Sequence, residues 1–252
     1  MAIIEVVKRD RVEIWTLNHP PVNAISMDVL TRLGELLDGA QTNDEVRAIV
    51  ITGAGYTFAA GADVAGFMKM GGQLPDFLRL GTQIFTRVEQ FAKPIVAAVN
   101  GVAFGGGNEL AMATDIRIAS SRARFGQPEV NLGIIPGWGG TFRMAQLIGR
   151  SHAANLILTG EPIEAADAYR LGLVEQVVEP DLLLDYAVNK ADRLASLPPL
   201  ALAAIKRLLT QAQPPGASER ETTELLSLMT TQDAMEGVLA FMQKRRPRFK
   251  GK

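Results

Sequence analysis

The chain has 252 residues, 47% of them hydrophobic and 21% charged, with a formal net charge of −1. That is ample for the core of one large soluble unit, or of a unit with an appendage, and it gives no electrostatic argument for nucleic acid or an anionic membrane surface. Cysteine is absent, which excludes disulfides, thiolate metal sites and a cysteine nucleophile.

The N-terminal residues Ile3 to Val7 and the run Val12 to Leu17 have the composition of strands, joined by the charged turn Lys8-Arg9-Asp10-Arg11. A strand there, rather than a basic segment followed by a long apolar one, argues against a cleaved export signal. No run of about 18 apolar residues occurs, so a membrane span is not expected. Pro20-Pro21 breaks the pattern beside His19. Ser26 then offers an N-cap for a helix over Met27 to Ala40, with Val29, Leu30, Leu33, Leu36 and Leu37 at helical spacing.

Arg47 to Thr52 is a short buried strand ending at Gly53-Ala54-Gly55. Between Phe67 and Leu80, two glycines and Pro75 suggest a mobile or variable segment, equally an ordinary surface loop or the lining of a ligand's tail pocket. Pro94 to Val99 is an apolar strand running into Asn100-Gly101, a glycine run and a helix over Asn108 to Thr114. Ile116 to Ala119 and Leu173 to Val178 are further strands. Strands that end in glycine loops and lead to helices belong to an α/β layout with ligand sites at strand ends.

His152 follows Ser151, a candidate N-cap, and is expected in the first turn of a helix. With only His19 and His152 available, a serine–histidine triad or a histidine-rich metal site is not expected. From Leu197 onward the character changes. Pro198-Pro199 starts a helix, Gln213-Pro214-Pro215-Gly216 breaks it, and Ser218 to Leu228 and Asp233 to Lys244 are amphipathic helices. The end, Lys244 to Lys250, is a short basic tail, either solvated or able to contact phosphate.

Two acids stand out. Glu109 follows Gly105-Gly106-Gly107 at a helix entrance, where free backbone N–H groups favour a developing negative charge. Glu129 lies in Phe125-Gly126-Gln127-Pro128-Glu129. A carboxylate beside such donors can move a proton while they hold an oxyanion, and a second carboxylate lets a site handle both a water and a carbon-bound proton. Taken alone, Glu109 reads equally well as a helix-start acid favoured by the dipole, and Glu129 as a solvated loop carboxylate. A phosphate loop fails, because no Gly-Lys-Ser/Thr follows the glycine run and no strand–GxGxxG–helix with a downstream acid fits.

Three segments then line up: Phe58-Ala59-Ala60-Gly61-Ala62-Asp63, Asn100 through Leu110, and Phe125 through Glu129 running on to Gly133-Ile134-Ile135-Pro136-Gly137-Trp138-Gly139-Gly140-Thr141. In this order and spacing they strongly resemble the enoyl-CoA hydratase/isomerase family, the crotonase superfamily. The resemblance runs nearly end to end. It includes Leu17-Asn18 with Val22 to Ser26, Leu158-Thr159-Gly160, Ala168 through Val174, and Glu236-Gly237 with Ala240-Phe241.

The resemblance implies an α/β fold, a crotonase-type spiral of repeated ββα units over residues 1–195, with a C-terminal helical region, 196–252, used for trimer packing. Such trimers commonly pair into hexamers. It implies a coenzyme A thioester as substrate, with no separate cofactor and no metal. With neither an export signal nor a membrane span expected, a cytoplasmic enzyme is the default, and an organelle precursor trimmed of its targeting segment is the alternative. The thioester oxygen would sit between the amides of Ala62 and Gly106, both small enough for close approach of the backbone. Glu109 would activate water for attack at C3 and Glu129 would deliver a proton to C2. Substrate contacts would fall at Val22, Ala24, Ala60, Ala62, Asp63, Val64, Gly106, Gly137, Trp138 and Lys250, with Gly137 giving a backbone contact near the water.

Relatives separate by which acids they keep. Hydratases match acids at both places, and double-bond isomerases commonly keep one near the second, so the two glutamates favour hydration. The nearest rival is an isomerase, or a hydratase specific for a cyclic or branched acyl-CoA. Some relatives bind AU-rich RNA through a basic helix; the corresponding stretch here, Leu33 to Glu45, carries four acids and no lysine. Three positions depart from the pattern. Asn108 is often small or sulfur-bearing in relatives, and here its amide is expected to bond locally. Ala65 stands where many hydratases carry a lysine near the coenzyme phosphates. Trp138 replaces a smaller residue and is expected to reshape the acyl pocket.

Overall fold

Strands β1 (Ile4–Arg9) and β2 (Val12–Leu17) form the expected antiparallel hairpin in full register, Ile4 opposite Leu17 and Arg9 opposite Val12. The turn is tighter than expected: only Asp10 and Arg11 lie outside the strands, with Asp10 at φ 50°, which aspartate tolerates better than most residues. The structure is a computed structural model that describes residues 2–63, 66, 71–210 and 217–247.

After helix α1 (Met27–Thr42), capped by Ser26 Oγ accepting from Val29 N–H at 3.3 Å, the chain alternates between two sheets. Strands β3 (Ala48–Gly53), β5 (Ile95–Val99), β7 (Ile116–Ser120) and β10 (Gln176–Val178) join the hairpin in a six-stranded sheet of order β1-β2-β3-β5-β7-β10, parallel from β2 onward. Strands β4 (Thr57–Ala59), β6 (Val102–Phe104), β8 (Arg124–Gly126) and β9 (Ile163–Glu164) make a four-stranded sheet in that order, the last pair antiparallel. Thus β3–β4, β5–β6 and β7–β8 each step from the large sheet to the small one. The helices α2 (Leu74–Gln90), α3 (Gly106–Ala113) and α4 (Gly140–Thr159) follow these pairs in turn. This is a spiral of ββα turns.

Asparagine and glycine make the corners stack. Asn100 Oδ1 accepts from Gly53 N–H at 3.1 Å and its Nδ2 donates to Gly55 O at 3.0 Å, tying the β5–β6 corner to the β3–β4 corner. Asn23 Nδ2 donates to Ala54 O and Thr57 O from the other side. At Gly101 a Cβ would lie 1.8 Å from Tyr56 O, so the corners approach too closely for any side chain.

The alternation of strand side chains splits the interior in two. Val12, Ile14, Ala48, Val50, Val96, Ala98 and Ile118 face helix α6 (Leu183–Ala195) through Leu183, Ala187 and Ala191. Trp15, Leu17, Ile49, Ile51, Ala97 and Val99 face the larger core, which holds Phe58, Phe77, Phe85 and Phe125.

Helix α5 (Ala165–Leu171) ends in a Schellman motif. Gly172 sits at φ 85°, Leu173 N–H donates to Ala168 O at 2.8 Å and Gly172 N–H to Tyr169 O at 3.1 Å. Leu173 and Val174 are therefore cap residues, and the strand expected over Leu173 to Val178 shrinks to Gln176–Val178. Helix α4 is broken at Gly149, φ 77° and ψ 153°, so exposed His152 falls in the first turn of its second part.

The segment read as mobile is helical from Leu74, with Pro75 in the first turn where proline is tolerated; residues 67–70 lie outside the described residues. Helices α7 (Pro199–Thr210), α8 (Ala217–Leu228) and α9 (Gln232–Met242) fold back on the core. Lys206 Nζ donates to Lys93 O and Asp115 Oδ2, and Leu225 is buried. Among the described residues no helix is long and apolar enough to cross a membrane.

Candidate active site

The site forms where β6 turns into α3. Gly105 sits at φ 49° and ψ −124°, and its N–H donates to Gly126 O at 3.0 Å, tying the helix entrance to the end of β8. A Cβ at Gly105 would lie 2.6 Å from Glu129 Oε1, and one at Gly107 would lie 1.9 Å from Ala59 O. Glycine is thus required once for conformation and twice for room, which lets α3 lean on β4 and lets Glu129 reach across its entrance.

Glu109 comes one turn into α3 and is 2% exposed. Its Oε1 accepts from Trp138 N–H and Gly140 N–H, both at 2.8 Å. These amides open α4, so the carboxylate sits at a helix N-terminus, where free donors and the dipole favour negative charge. The loop that offers them is braced from behind. Arg143 Nη1 donates to Trp138 O at 2.6 Å, and its Nη2 donates to Glu89 Oε2 of α2 at 2.9 Å, with Arg143 2% exposed.

Glu129 is half-buried in the 3₁₀ turn Pro128–Leu132, which Gly133 closes at φ 73°. Gln127, two residues earlier, is fully buried. The position of a Gly140 Cβ is 2.3 Å from Gln127 Nε2 and 3.1 Å from Glu109 Oε1, so the amide and the carboxylate flank one glycine.

Two further amides face this space. Ile25 N–H donates to Gly61 O and Asp63 N–H to Ile25 O, a parallel bridge that turns the N–H of Ala62 to the opposite side. There Ala62 N is 3.4 Å from where a Gly106 Cβ would stand. Gly106 is the first residue of α3, so its N–H has no carbonyl of its own helix to bond.

These parts border one cavity of about 110 Å³, lined by Ala60, Gly61, Ala62, Leu78, Gly105, Gly106, Glu109, Pro128, Glu129, Leu132, Ile134, Ile135, Gly137, Trp138, Leu225 and Phe241. Apart from the two glutamates the walls are apolar side chains and backbone. Of the residues singled out in the sequence, Ala60, Ala62, Gly106, Glu109, Glu129, Gly137 and Trp138 meet here. Val22, Ala24 and Asp63 lie beside the cavity rather than in its wall. Val22 O accepts from Ala60 N–H at 3.0 Å, Ala24 O bonds His19 Nδ1 at 2.6 Å, and Asp63 Oδ1 accepts from Gly66 N–H at 3.1 Å. Val64, Ala65 and Lys250 lie outside the described residues.

One expectation fails. Asn108 is fully buried, and neither its Nδ2 nor its Oδ1 has a hydrogen-bond partner among the described residues, so the expected local bond is absent. Sequence reasoning also missed Leu78 and Leu225, contributed by α2 and α8. Leu78 falls in the segment read as a mobile or surface loop, and Leu225 carried no signal beyond its place in an amphipathic helix.

Residues 8–252 match the sequence model of the enoyl-CoA hydratase/isomerase family. The chain belongs to that family. It is 41% identical over 260 aligned positions to 2,3-dehydroadipyl-CoA hydratase of Escherichia coli, with all of both chains covered. It is 40% identical to short-chain-enoyl-CoA hydratase of Clostridium acetobutylicum, covering 95% of this chain and 94% of that one. Its fold superposes on the crystal structure of carnitinyl-CoA hydratase from Mycobacterium avium with a TM-score of 0.89 and 38% identity, over 99% of this chain and 98% of the other. The ββα spiral is accordingly the crotonase fold of this family. Among the described residues no group of three or more histidine, aspartate or glutamate side chains is arranged to hold a metal.

Proposed function

We propose that the protein is an enzyme that adds water across the 2,3 double bond of an enoyl-CoA thioester. The observation that carries this reading is the meeting of Glu109 and Glu129 on one apolar cavity with the amides of Ala62 and Gly106. In the reaction the thioester oxygen lies between the two amides. Glu109 takes a proton from water as the water oxygen bonds to C3, and the double-bond electrons move onto the thioester oxygen as an enolate. The two amides stabilise that charge, and removing one such donor costs about 2.7–4 kcal/mol of transition-state stabilisation. The enolate collapses as C2 takes the proton that Glu129 carries into the step. A proton then passes from Glu109 back to Glu129 through solvent, which restores the starting state.

The amides of Trp138 and Gly140 aim Glu109 and favour its carboxylate form, the form a base for water needs. Gly137, beside them in the wall, offers its backbone near the water. Val22, Ala24 and Asp63, beside the cavity, are proposed to contact the body of the coenzyme, and the resemblance in sequence adds Val64 and Lys250 to that list. A double-bond isomerase on the same frame needs one acid for proton shuttling, so the second glutamate favours hydration. A hydratase restricted to cyclic or branched acyl groups remains the other reading of the same machinery.

The test is hydration of crotonyl-CoA followed as loss of the absorbance of the conjugated thioester. Turnover with a 3-hydroxyacyl-CoA product supports the reading. Double-bond migration without water uptake would replace it with isomerisation. The reaction fits a step of acyl-CoA degradation such as β-oxidation, carried out in the cytoplasm by a trimer or a pair of trimers packed through the C-terminal helices.

A further inference from the structure

The indole of Trp138 is fixed more firmly than an ordinary pocket residue. Its Nε1–H donates to Leu78 O at 3.2 Å, and Phe77 and Phe85 meet it edge-on with ring centroids at 5.2 and 5.3 Å. Behind it, a Cβ at Gly81 would lie 2.2 Å from the ring, so α2 gives the indole a socket that exists only because residue 81 is glycine. In front, the ring closes on the reaction centre. The position of a Gly106 Cβ is 2.6 Å from Trp138 Cζ3 and 3.4 Å from Ala62 N. The indole is 3% exposed and cannot retreat, since its socket is already full.

This placement sets where an acyl chain can go. The inference rests on the reading of the cavity as an enoyl-CoA site. With the thioester oxygen between Ala62 and Gly106, C3 has to lie beside Glu109. The ring of Trp138 borders the same cavity as Glu109 and closes on Gly106, so it stands beside the space left for the carbons beyond C3. The cavity of about 110 Å³ is smaller than the roughly 150 Å³ apolar cavity that accepts benzene. Its lining has no lysine, arginine or histidine among the described residues, so those residues offer no cation to a carboxylate at the far end of the chain.

We propose that Trp138, seated against Gly81, is the stop that limits the acyl group to a short, uncharged chain. Each methylene forced against such a wall is worth on the order of tenfold or more in kcat/KM.

The experiment compares straight-chain 2-enoyl-CoAs of increasing length, plus a six-carbon substrate with a terminal carboxylate, on the wild type and on Trp138→Ala and Trp138→Phe. Binding of butyryl-CoA and decanoyl-CoA, which have no double bond to hydrate, is measured alongside, and thermal unfolding checks that each variant is folded. The expected result is a wild-type preference for crotonyl-CoA that falls steeply with length, a poor carboxylated substrate, and a preference that flattens in Trp138→Phe and shifts to longer chains in Trp138→Ala. If Trp138→Ala does not fold, the Phe variant and the wild-type profile decide. Equal use of short and long chains by the wild type, or an unchanged profile in a folded variant, overturns the proposal. Selective butyryl-CoA binding with no hydration of any chain would instead overturn the hydratase reading and leave the length limit standing.

Discussion

Trp138 holds Glu109 by its backbone, N–H to Oε1 at 2.8 Å, and bounds the same cavity with its ring. One residue thus couples the aim of a carboxylate to the shape of the space in front of it. Whatever positions the loop 136–140 acts on both.

Arg143 is the residue best placed to do so, donating to Trp138 O and to Glu89 while buried. It touches no part of the cavity and is a positioning residue. Arg143→Gln is expected to lower kcat on the order of 100-fold, the scale of a misplacement of about 1 Å in a reacting group, with KM for crotonyl-CoA little changed. Arg143→Lys keeps the charge opposite Glu89 and should recover part of kcat. Steady-state kinetics separates this from simple loss of fold, which would lower the active fraction without restoring kcat in the lysine variant.

Gly105 has both a conformational and a steric reason to be glycine. Gly105→Ala should destabilise the fold by about 1–2 kcal/mol, the cost of placing a Cβ at positive φ, and should also displace Glu129, whose Oε1 lies 2.6 Å from the new methyl group. The measurements are urea unfolding and turnover. Loss of activity should exceed what the unfolded fraction explains.

The C-terminal helices are fastened by charge as well as by apolar contact. Lys206 of α7, its side chain 8% exposed, pairs with Asp115, 26% exposed. Burial pushes the Asp115 carboxyl up from its ordinary 3.8 and pushes the Lys206 ammonium down from 10.5, each partly countered by the partner's charge. Native Asp115 holds its proton more tightly than the unfolded chain does, so its contribution to stability falls as pH rises above 3.8. Unfolded Lys206 holds its proton more tightly than native Lys206, so its contribution rises with pH up to 10.5. Lys206→Ala leaves the carboxylate without its partner and is expected to cost about 3 kcal/mol, the lower end for a broken buried pair. Asp115→Asn combined with Lys206→Met should cost much less. Unfolding curves at several pH values check both slopes.

Most of the site was legible because its chemistry is concentrated in short segments. Singly, Glu109 reads as a helix-start acid and Glu129 as a loop carboxylate; it is the order and spacing of the three glycine-rich segments that point to one shared site. The four strands of the small sheet were not legible, since at two or three residues each they are too short for a period to show. Helix α2 carries Phe77, Leu78, Gly81, Ile84, Phe85 and Val88 at helical spacing. Gly71, Gly72 and Pro75 obscured it, although they precede the helix or fall in its first turn. Leu225 and Phe241 reach the cavity from helices more than 90 residues after Glu129, and no local pattern tells which core a helix will cover. The partner of Trp138 was hidden for the same reason: Gly81 looks like a weak point in a helix until the indole is in place.

Glu109 and Glu129 are proposed to divide the work of hydration between them. Glu109→Gln and Glu129→Gln, each tested for crotonyl-CoA turnover and for butyryl-CoA binding, address it most directly. Both variants are expected to fold, to bind butyryl-CoA with affinity near that of the wild type, and to lose turnover by at least about 100-fold, the lower bound for removing a positioned acid or base. Near-normal turnover in either folded variant would remove that glutamate from the chemistry and leave hydration to a single acid.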